Sequence, residues 1–451
     1  MAANPQKRTC IVGAGFLGLT LALRLSAAGN AVTILEASDR PGGLADAWRL
    51  DDVVWDRHYH VILPVDRALI ALLEELDLSG NVTWTKTGTD LFDGTRFHPL
   101  NGGIDFLRLP MLSFIDKARL AATILYASRI SDGDTLSDIG VEDWLTRLSG
   151  ARVFDTIWRP LLRAKLGDTY ENASAQFIQA IARRLYAARA SGVARDRFGV
   201  VQGGYATILE RLVSRLEAHG VDLRLGTGVE RIRRGPDGLR VVSDAGLQTF
   251  DRVIVTTPPA LASRMCGELG GDEHARLEGV PYQGVICASA LMDARLRGSY
   301  MTYITDADCP LTTIIDMSAV AGRAVFGGRT LAYLPMYLAS DDALFNASDD
   351  AIETIVMDGL NRLYPDIRRE DIAAMRISRA RHVLPVPVRG YAKRVPAIVT
   401  SVPGLYTASS ANIVNGTLNI NETIELAERT LAGIAADPRC DAPRPLATEA
   451  A

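Results

Sequence analysis

Long apolar runs are missing from this chain. No stretch approaches the ~18 consecutive apolar residues of a membrane-crossing helix. Cysteine is scarce: five in 451 residues, at 10, 266, 287, 309 and 440, scattered and without metal-ligand spacing. That pattern argues against a disulfide framework, offers no metal site, and points to a reducing, cytoplasmic compartment. The opening residues, MAANPQKR, lack the apolar core of a secretory signal. Cations are not in excess: 49 Lys and Arg stand against 53 Asp and Glu, a net charge of −4. Nucleic acid is therefore not expected as the main partner. No internal repeat and no coiled-coil heptad is visible. What remains, 48% hydrophobic and 23% charged, is ordinary for a globular enzyme of two domains or one large α/β body.

The informative stretch is 9–43. An apolar run, Cys10-Ile11-Val12, leads into Gly13-Ala14-Gly15-Phe16-Leu17-Gly18. Apolar residues 19–25, Gly29, and a second apolar run, 31–35, follow, closed by Glu36. This reads strand, tight turn, helix, helix stop, strand, acid. Gly13 allows the turn, Gly15 lets backbone N–H groups approach a pyrophosphate, and Gly18 lets the helix pack on the strand. The helix N-terminus then faces the anion. Glu36 lies 18 residues past Gly18, close to the ~20 expected for an acid that holds a ribose hydroxyl. The pattern defines a dinucleotide site without choosing the dinucleotide.

Further on, 53–63 reads as a strand or extended segment in which His58 and His60 share a face. A helix is expected over 66–78, and hairpin-like strands over 81–97, turning at Asp93-Gly94. Helical patterns occupy most of 104–190, broken at Pro110. Gly203-Gly204 opens a strand–turn–helix unit. It is followed by a strand over 222–225, a hairpin through 236–238 and a strand over 252–256 that ends at Pro258-Pro259. Runs between 285 and 340 suggest an antiparallel sheet. A helix over 349–363, strands near 374–379 and 404–408, and a terminal helix over 422–434 complete the chain. Asn419 is the expected cap of that last helix. No second strand–GxGxxG–helix unit appears, so no dedicated NAD(P) domain is expected.

Arg40-Pro41-Gly42-Gly43, directly after the acid, resembles the extended signature of two-dinucleotide-binding-domain flavoproteins. Together with the Gly203-Gly204 unit, the 251–259 strand and the terminal strand–loop–helix, it resembles the FAD-dependent amine oxidase, protoporphyrinogen oxidase and phytoene desaturase superfamily. The run Trp158-Arg159-Pro160-Leu161-Leu162-Arg163-Ala164-Lys165 is similar to a bacterial subgroup of FAD-dependent oxidoreductases. The resemblance implies an α/β fold with a discontinuous Rossmann-type FAD-binding domain (1–65, 199–280 and 396–436). An α+β substrate domain would take 66–198 and 281–395, leaving 437–451 as a disordered tail. It implies non-covalent FAD held by Gly13, Gly15, Leu17, Gly18, Glu36, Ala37, Gly42, Gly43, Leu44, Val229, Ser410 and Ile420. Many members carry Ala-Gly-Asp or Ala-Gly-Glu after the terminal strand. Here Ala408-Ser409-Ser410 stands instead, so a ribityl contact from Ser410 would be uncharged.

Side chains beyond the cradle give three catalytic candidates. His60 is the first choice, because a similarly placed histidine lies near the flavin in UDP-galactopyranose mutase; His58 is the second. Arg163, four residues from Arg159 on a helix and near Lys165, would clamp a phosphate or carboxylate, or else sit on a solvated face. A second basic group, Arg183, Arg184, Arg189, Arg195 and Arg197, has the same two readings. Residues 106–126 read as a core helix pair, a hydrophobic entry or a peripheral membrane contact. Tyr282, Tyr300, Tyr303, Asn412 and Asn415 are further candidates near the ring or its loop. The expected activity is FAD-dependent oxidation. A hydride would pass from a C–H bond of a small-molecule, lipid-linked or sugar-linked substrate to flavin N5. The alternative is a non-redox flavin-dependent sugar-nucleotide mutase resembling UDP-galactopyranose mutase.

Overall fold

A computed structural model describes residues 7–189, 197–414 and 418–441. Its first layer is a five-stranded parallel sheet in the spatial order Leu405–Thr407, Arg252–Val255, Arg8–Val12, Ala31–Leu35, Asp222–Arg224. The central strands read as near-continuous apolar runs because both sheet faces are covered. The helix Phe16–Ala27 lies on one face with the helices Gly204–Ala218 and Ile420–Ala436, in a core of Ile11, Leu19, Leu23, Ile208, Leu212 and Leu426. A three-stranded antiparallel ribbon, Val229–Gly235, Gly238–Ser243 and Gly246–Phe250, covers part of the other face. The sheet thus draws its strands from three distant stretches of chain.

The second layer is a seven-stranded sheet centred on Tyr282–Met292, which pairs antiparallel with Thr330–Ala339 on one side and Ile372–Pro385 on the other. Thr89–Phe92 joins it in parallel beside Met301–Ile304. The expected turn at Asp93-Gly94 joins Thr89–Phe92 to Phe97–Pro99 as an antiparallel pair, and only the first strand of the 81–97 stretch lies elsewhere. Val82–Lys86 pairs instead with Arg197–Val201, over 100 residues away. Even-numbered side chains of the 282–292 strand pack beneath the helix Asp349–Leu363. Odd-numbered ones, Val285 and Cys287, turn toward Trp48, Trp55 and Tyr333. That second face is the one that reaches the cofactor side.

Helices over 103–189 form a separate core around Trp144, Phe154, Trp158 and Leu162. The expected strand over 53–63 stops early: Val53–Asp56 pairs with Ala47–Leu50, and 57–61 carries no regular strand. His58 and His60 consequently do not share a strand face. Backbone groups at its start are engaged from elsewhere instead: Arg57 N–H donates to the Asp46 carbonyl, and the Asp56 carbonyl accepts from the Tyr333 hydroxyl. At the other end, Asp437 accepts a hydrogen bond from the Tyr406 hydroxyl, and Pro438–Asp441 forms a 3-10 turn, so structure persists past 436. Residues 442–451 lie outside the described residues, as do Arg195 and Asn415.

Candidate functional site

The carboxyl ends of the parallel strands make a cradle of backbone. Gly13 takes φ +109°, and Gly42 and Gly43 take φ +114° and +59°, a region that L side chains rarely adopt. Gly18 is required by packing: a Cβ there would sit 2.0 Å from the Gly13 carbonyl oxygen. Gly15 is different. Its φ is −70°, open to any residue, and a Cβ there would meet nothing within 4 Å. Protein packing does not explain this glycine; open space in front of its Cα does. Gly42 N–H donates to the Ala14 carbonyl at 2.8 Å, which draws the Gly42-Gly43 turn over the first loop. A Cβ on Gly43 would come 3.4 Å from the Gly15 Cα.

Glu36 closes the cradle. Its carboxylate accepts from the N–H groups of Ala14 and Ser38 at 2.7 and 2.9 Å. The Glu36 carbonyl accepts from Thr227 N–H at 2.7 Å, and this brings 36–38 beside Gly228 and Val229. Ala37 lies at the same end, where a Cβ on Gly228 would be 3.9 Å from its own. Leu17 is buried in the helix that starts at Phe16. Ile420 opens the terminal helix, whose cap is Asn419: its side chain accepts from Glu422 N–H at 3.0 Å. Ser410 shares a 2.8 Å hydrogen bond with the Tyr282 hydroxyl. At the end of the 252–255 strand, the buried Thr257 hydroxyl has no hydrogen-bond partner within the protein. An open Gly15, a two-point carboxylate and an orphan hydroxyl at strand ends fit a bound dinucleotide.

Beside the cradle, residues 56–60 are sewn between it and the second sheet. Asp56 is fully buried and accepts from Tyr205 N–H at 2.7 Å, while burial pushes its carboxyl above the usual range. The Tyr333 hydroxyl donates to the Asp56 carbonyl. His60 lies with Nδ1 3.7 Å from that carboxylate and its ring 4.7 Å from the Tyr205 ring. Its Nδ1 is buried and makes no hydrogen bond in the protein.

His58 is held differently. Nδ1 is 3.1 Å from the Leu44 carbonyl and Nε2 is 3.1 Å from the Ser378 hydroxyl. A carbonyl only accepts, so Nδ1 carries the proton, and in the neutral ring Nε2 accepts from Ser378. Burial pulls its pKa down to about 4, so the ring is neutral at pH 7.

Next to it, the Tyr59 and Tyr337 hydroxyls are 2.8 Å apart, and Lys165 donates to Tyr337 at 3.5 Å with its ammonium 5.2 Å from that ring. Burial raises the Tyr59 phenol well above its ordinary value.

Arg163 is not part of this cluster. It pairs with Asp168 at 2.8 Å, half exposed, and Arg159 pairs with Asp155 at 2.7 Å. Two residues along a helix turn the chain by ~200°, so Arg163 and Lys165 face opposite ways. The second basic group is dispersed: Arg184 pairs with Asp66 and Arg197 lies over Trp84. Asp56, Tyr59, Tyr337 and Ser378 escaped sequence reasoning. Only Asp56, an acid ending the apolar run Val53-Val54-Trp55, carried a local signal.

Parallel-sheet crevice, glycine cradle, ribose-length acid and side-chain wall define a flavoprotein that binds a dinucleotide at its strand ends. The chain belongs to the flavin containing amine oxidoreductase family, whose model matches residues 18–425. It is an FAD-dependent oxidoreductase. It is 26% identical over 415 residues to 15-cis-phytoene desaturase of Solanum lycopersicum, which covers 86% of this chain and 69% of that one. Its fold is shared with a candidate protoporphyrinogen oxidase from Exiguobacterium sp. 255-15 at TM-score 0.77, 20% identity, and 96% and 99% of the two chains. Reduced UDP-galactopyranose mutase gives TM-score 0.72 at 17% identity over 97% and 98%. No helix among the described residues is long and apolar enough to cross a membrane.

Proposed function

We propose that this protein removes a hydride from a C–H bond of a small-molecule substrate at the junction between the cradle and the 282–292 sheet. FAD, when bound, supplies the hydride-accepting ring position. The arrangement that carries this reading is the 56–60 segment. It is tied to the cradle through Leu44 and to the sheet through Ser378, Tyr333 and Tyr337.

His60 is the proton-handling group. Its ring is held against Tyr205, and Nδ1 points at a buried carboxyl without being consumed by a hydrogen bond. Neutral His58, with both nitrogens engaged, fixes the loop and leaves the proton work to its neighbour. Lys165 places a cation at Tyr337, which suits a substrate bearing an anionic group, whether lipid-linked or sugar-linked. Arg163, paired outward with Asp168, contributes to the surface.

The mutase reading is kept because two histidines adjoin the cradle in a chain that shares its fold with reduced UDP-galactopyranose mutase. One experiment separates the two. Under the oxidase reading, anaerobic substrate bleaches the flavin absorbance of the purified protein without added reductant. Turnover of a sugar nucleotide that requires prior dithionite reduction, and leaves the electron count unchanged, would replace the oxidase with the mutase.

A further inference from the structure

Phe114, Ile104 and Ile115 are 78%, 68% and 65% exposed. Of the eleven exposed large apolar side chains among the described residues, six lie between 104 and 126: these three with Leu107, Ile124 and Tyr126. They belong to two consecutive helices, Gly103–Leu107 and Phe114–Arg129. Lys117 fastens the pair, donating to the Leu107 carbonyl at 2.7 Å. The inner face is anchored by buried Leu109, Leu112, Leu120 and Ala127, so the outward display is fixed rather than frayed.

The charge around this edge has one sign on its outer side. Arg108, Arg119 and Arg129 are exposed. The two acids of the stretch are turned to local duties. Asp105 accepts from Asn101 N–H at 3.2 Å, and Asp116 accepts from the Ser113 hydroxyl at 2.7 Å as a helix cap. An aromatic and aliphatic edge flanked by cations is the composition that enters the headgroup region of an anionic bilayer. A sixteen-residue helix lying flat spans ~24 Å, and at ~100° per residue Phe114, Ile115, Arg119, Tyr126 and Arg129 fall within one arc of ~140° opposite the buried Leu120 and Ala127, with Ile124 on the far flank. A two-fold contact between copies would instead set two patches of the same charge face to face.

We propose that the 104–129 edge docks this protein peripherally on an anionic lipid surface. The inference does not depend on the flavin chemistry: a failure here leaves FAD content and substrate bleaching as they are.

The test floats the flavin-loaded protein with phosphatidylcholine vesicles and with phosphatidylcholine–phosphatidylglycerol vesicles. Wild type rises with the anionic vesicles and less so as salt is added. Phe114→Ser/Ile115→Ser, at exposed positions, keeps its flavin and loses at least about tenfold in partitioning. Arg119→Glu/Arg129→Glu loses binding to the anionic vesicles. Leu247→Ser, an exposed apolar control on the hairpin, changes nothing. Equal partitioning of wild type and the Phe114/Ile115 double variant overturns the proposal, as does the absence of wild-type binding to anionic vesicles. A dimer in sedimentation that the double variant abolishes, without vesicle binding, assigns the edge to a second copy.

Discussion

The cofactor cradle is made of backbone, and the wall beside it is made of side chains. Around Gly13, Gly15 and Gly42 the groups offered to a ligand are N–H donors, bare Cα atoms and the Glu36 carboxylate, all between residues 13 and 42. In the wall, the contacts to the rest of the fold join distant stretches, Tyr59 to Tyr337, His58 to Ser378 and Asp56 to Tyr205. A backbone site needs particular torsions, so it restricts residue type at fixed spacing. A side-chain wall needs only complementary partners, which can come from anywhere in the fold. The first is rigid by covalent geometry and the second by mutual hydrogen bonding, so they should fail differently when altered.

The largest effect is expected inside the cradle, where the glycines divide into two kinds. Gly15→Val introduces a side chain into open space at an ordinary φ, so the apoprotein keeps its melting temperature and loses bound FAD. Gly18→Ala forces a Cβ to 2.0 Å from a carbonyl oxygen and costs about 3 kcal/mol or more of stability in the apoprotein itself. Flavin absorbance after reconstitution, read beside the apoprotein melting curve, checks both. Full flavin occupancy in Gly15→Val would remove the pyrophosphate from this position.

The same division explains what could be read from the chain. The strand, turn, helix and acid of 9–43 are local, and the structure places them at the sheet centre as their spacing implies. The helix 349–363 and its neighbours followed from period alone. The segment 53–63 did not. Its apolar ends, Val53-Val54-Trp55 and Val61-Ile62-Leu63, read as one extended strand, but 58–59 between them are held by bonds to Leu44, Ser378 and Tyr337, none of them adjacent in sequence. The pairing of 82–86 with 197–201 was equally invisible, because its register is set by partners over 100 residues apart. Arg163 looked like a clamp because basic residues clustered in sequence; helix phase sends it outward and Lys165 inward.

The next effect is expected in the wall, through His58. Its proton affinity in the fold is depressed by burial, from 6.5 to about 4. The unfolded chain therefore takes up a proton first as pH falls. Stability from the neutral ring is fully present above pH 6.5 and is lost on descent toward pH 4. The full loss is about 3 kcal/mol. His58→Gln removes the titration, so this part of the pH dependence flattens although the variant is less stable at neutral pH. Urea unfolding across that window measures it. An unchanged slope would mean that burial does not hold His58 neutral in the fold.

The smallest effect separates two cations of one helix. Arg163→Ala breaks a half-exposed ion pair with Asp168 and costs less than about 1 kcal/mol, with flavin content and turnover unchanged. Lys165→Met, two residues on, keeps the aliphatic stem and removes the ammonium from Tyr337. Its effect belongs in the pH profile of turnover and in the affinity for an anionic substrate, with little change in melting temperature. If the two variants behave alike, the wall ends at Tyr337. If Arg163→Ala is the more damaging, the helix presents its other face to the substrate, and the division between an outward arginine and an inward lysine fails. The pair thus probes the wall at its outermost member, where a side-chain site gives way to ordinary surface.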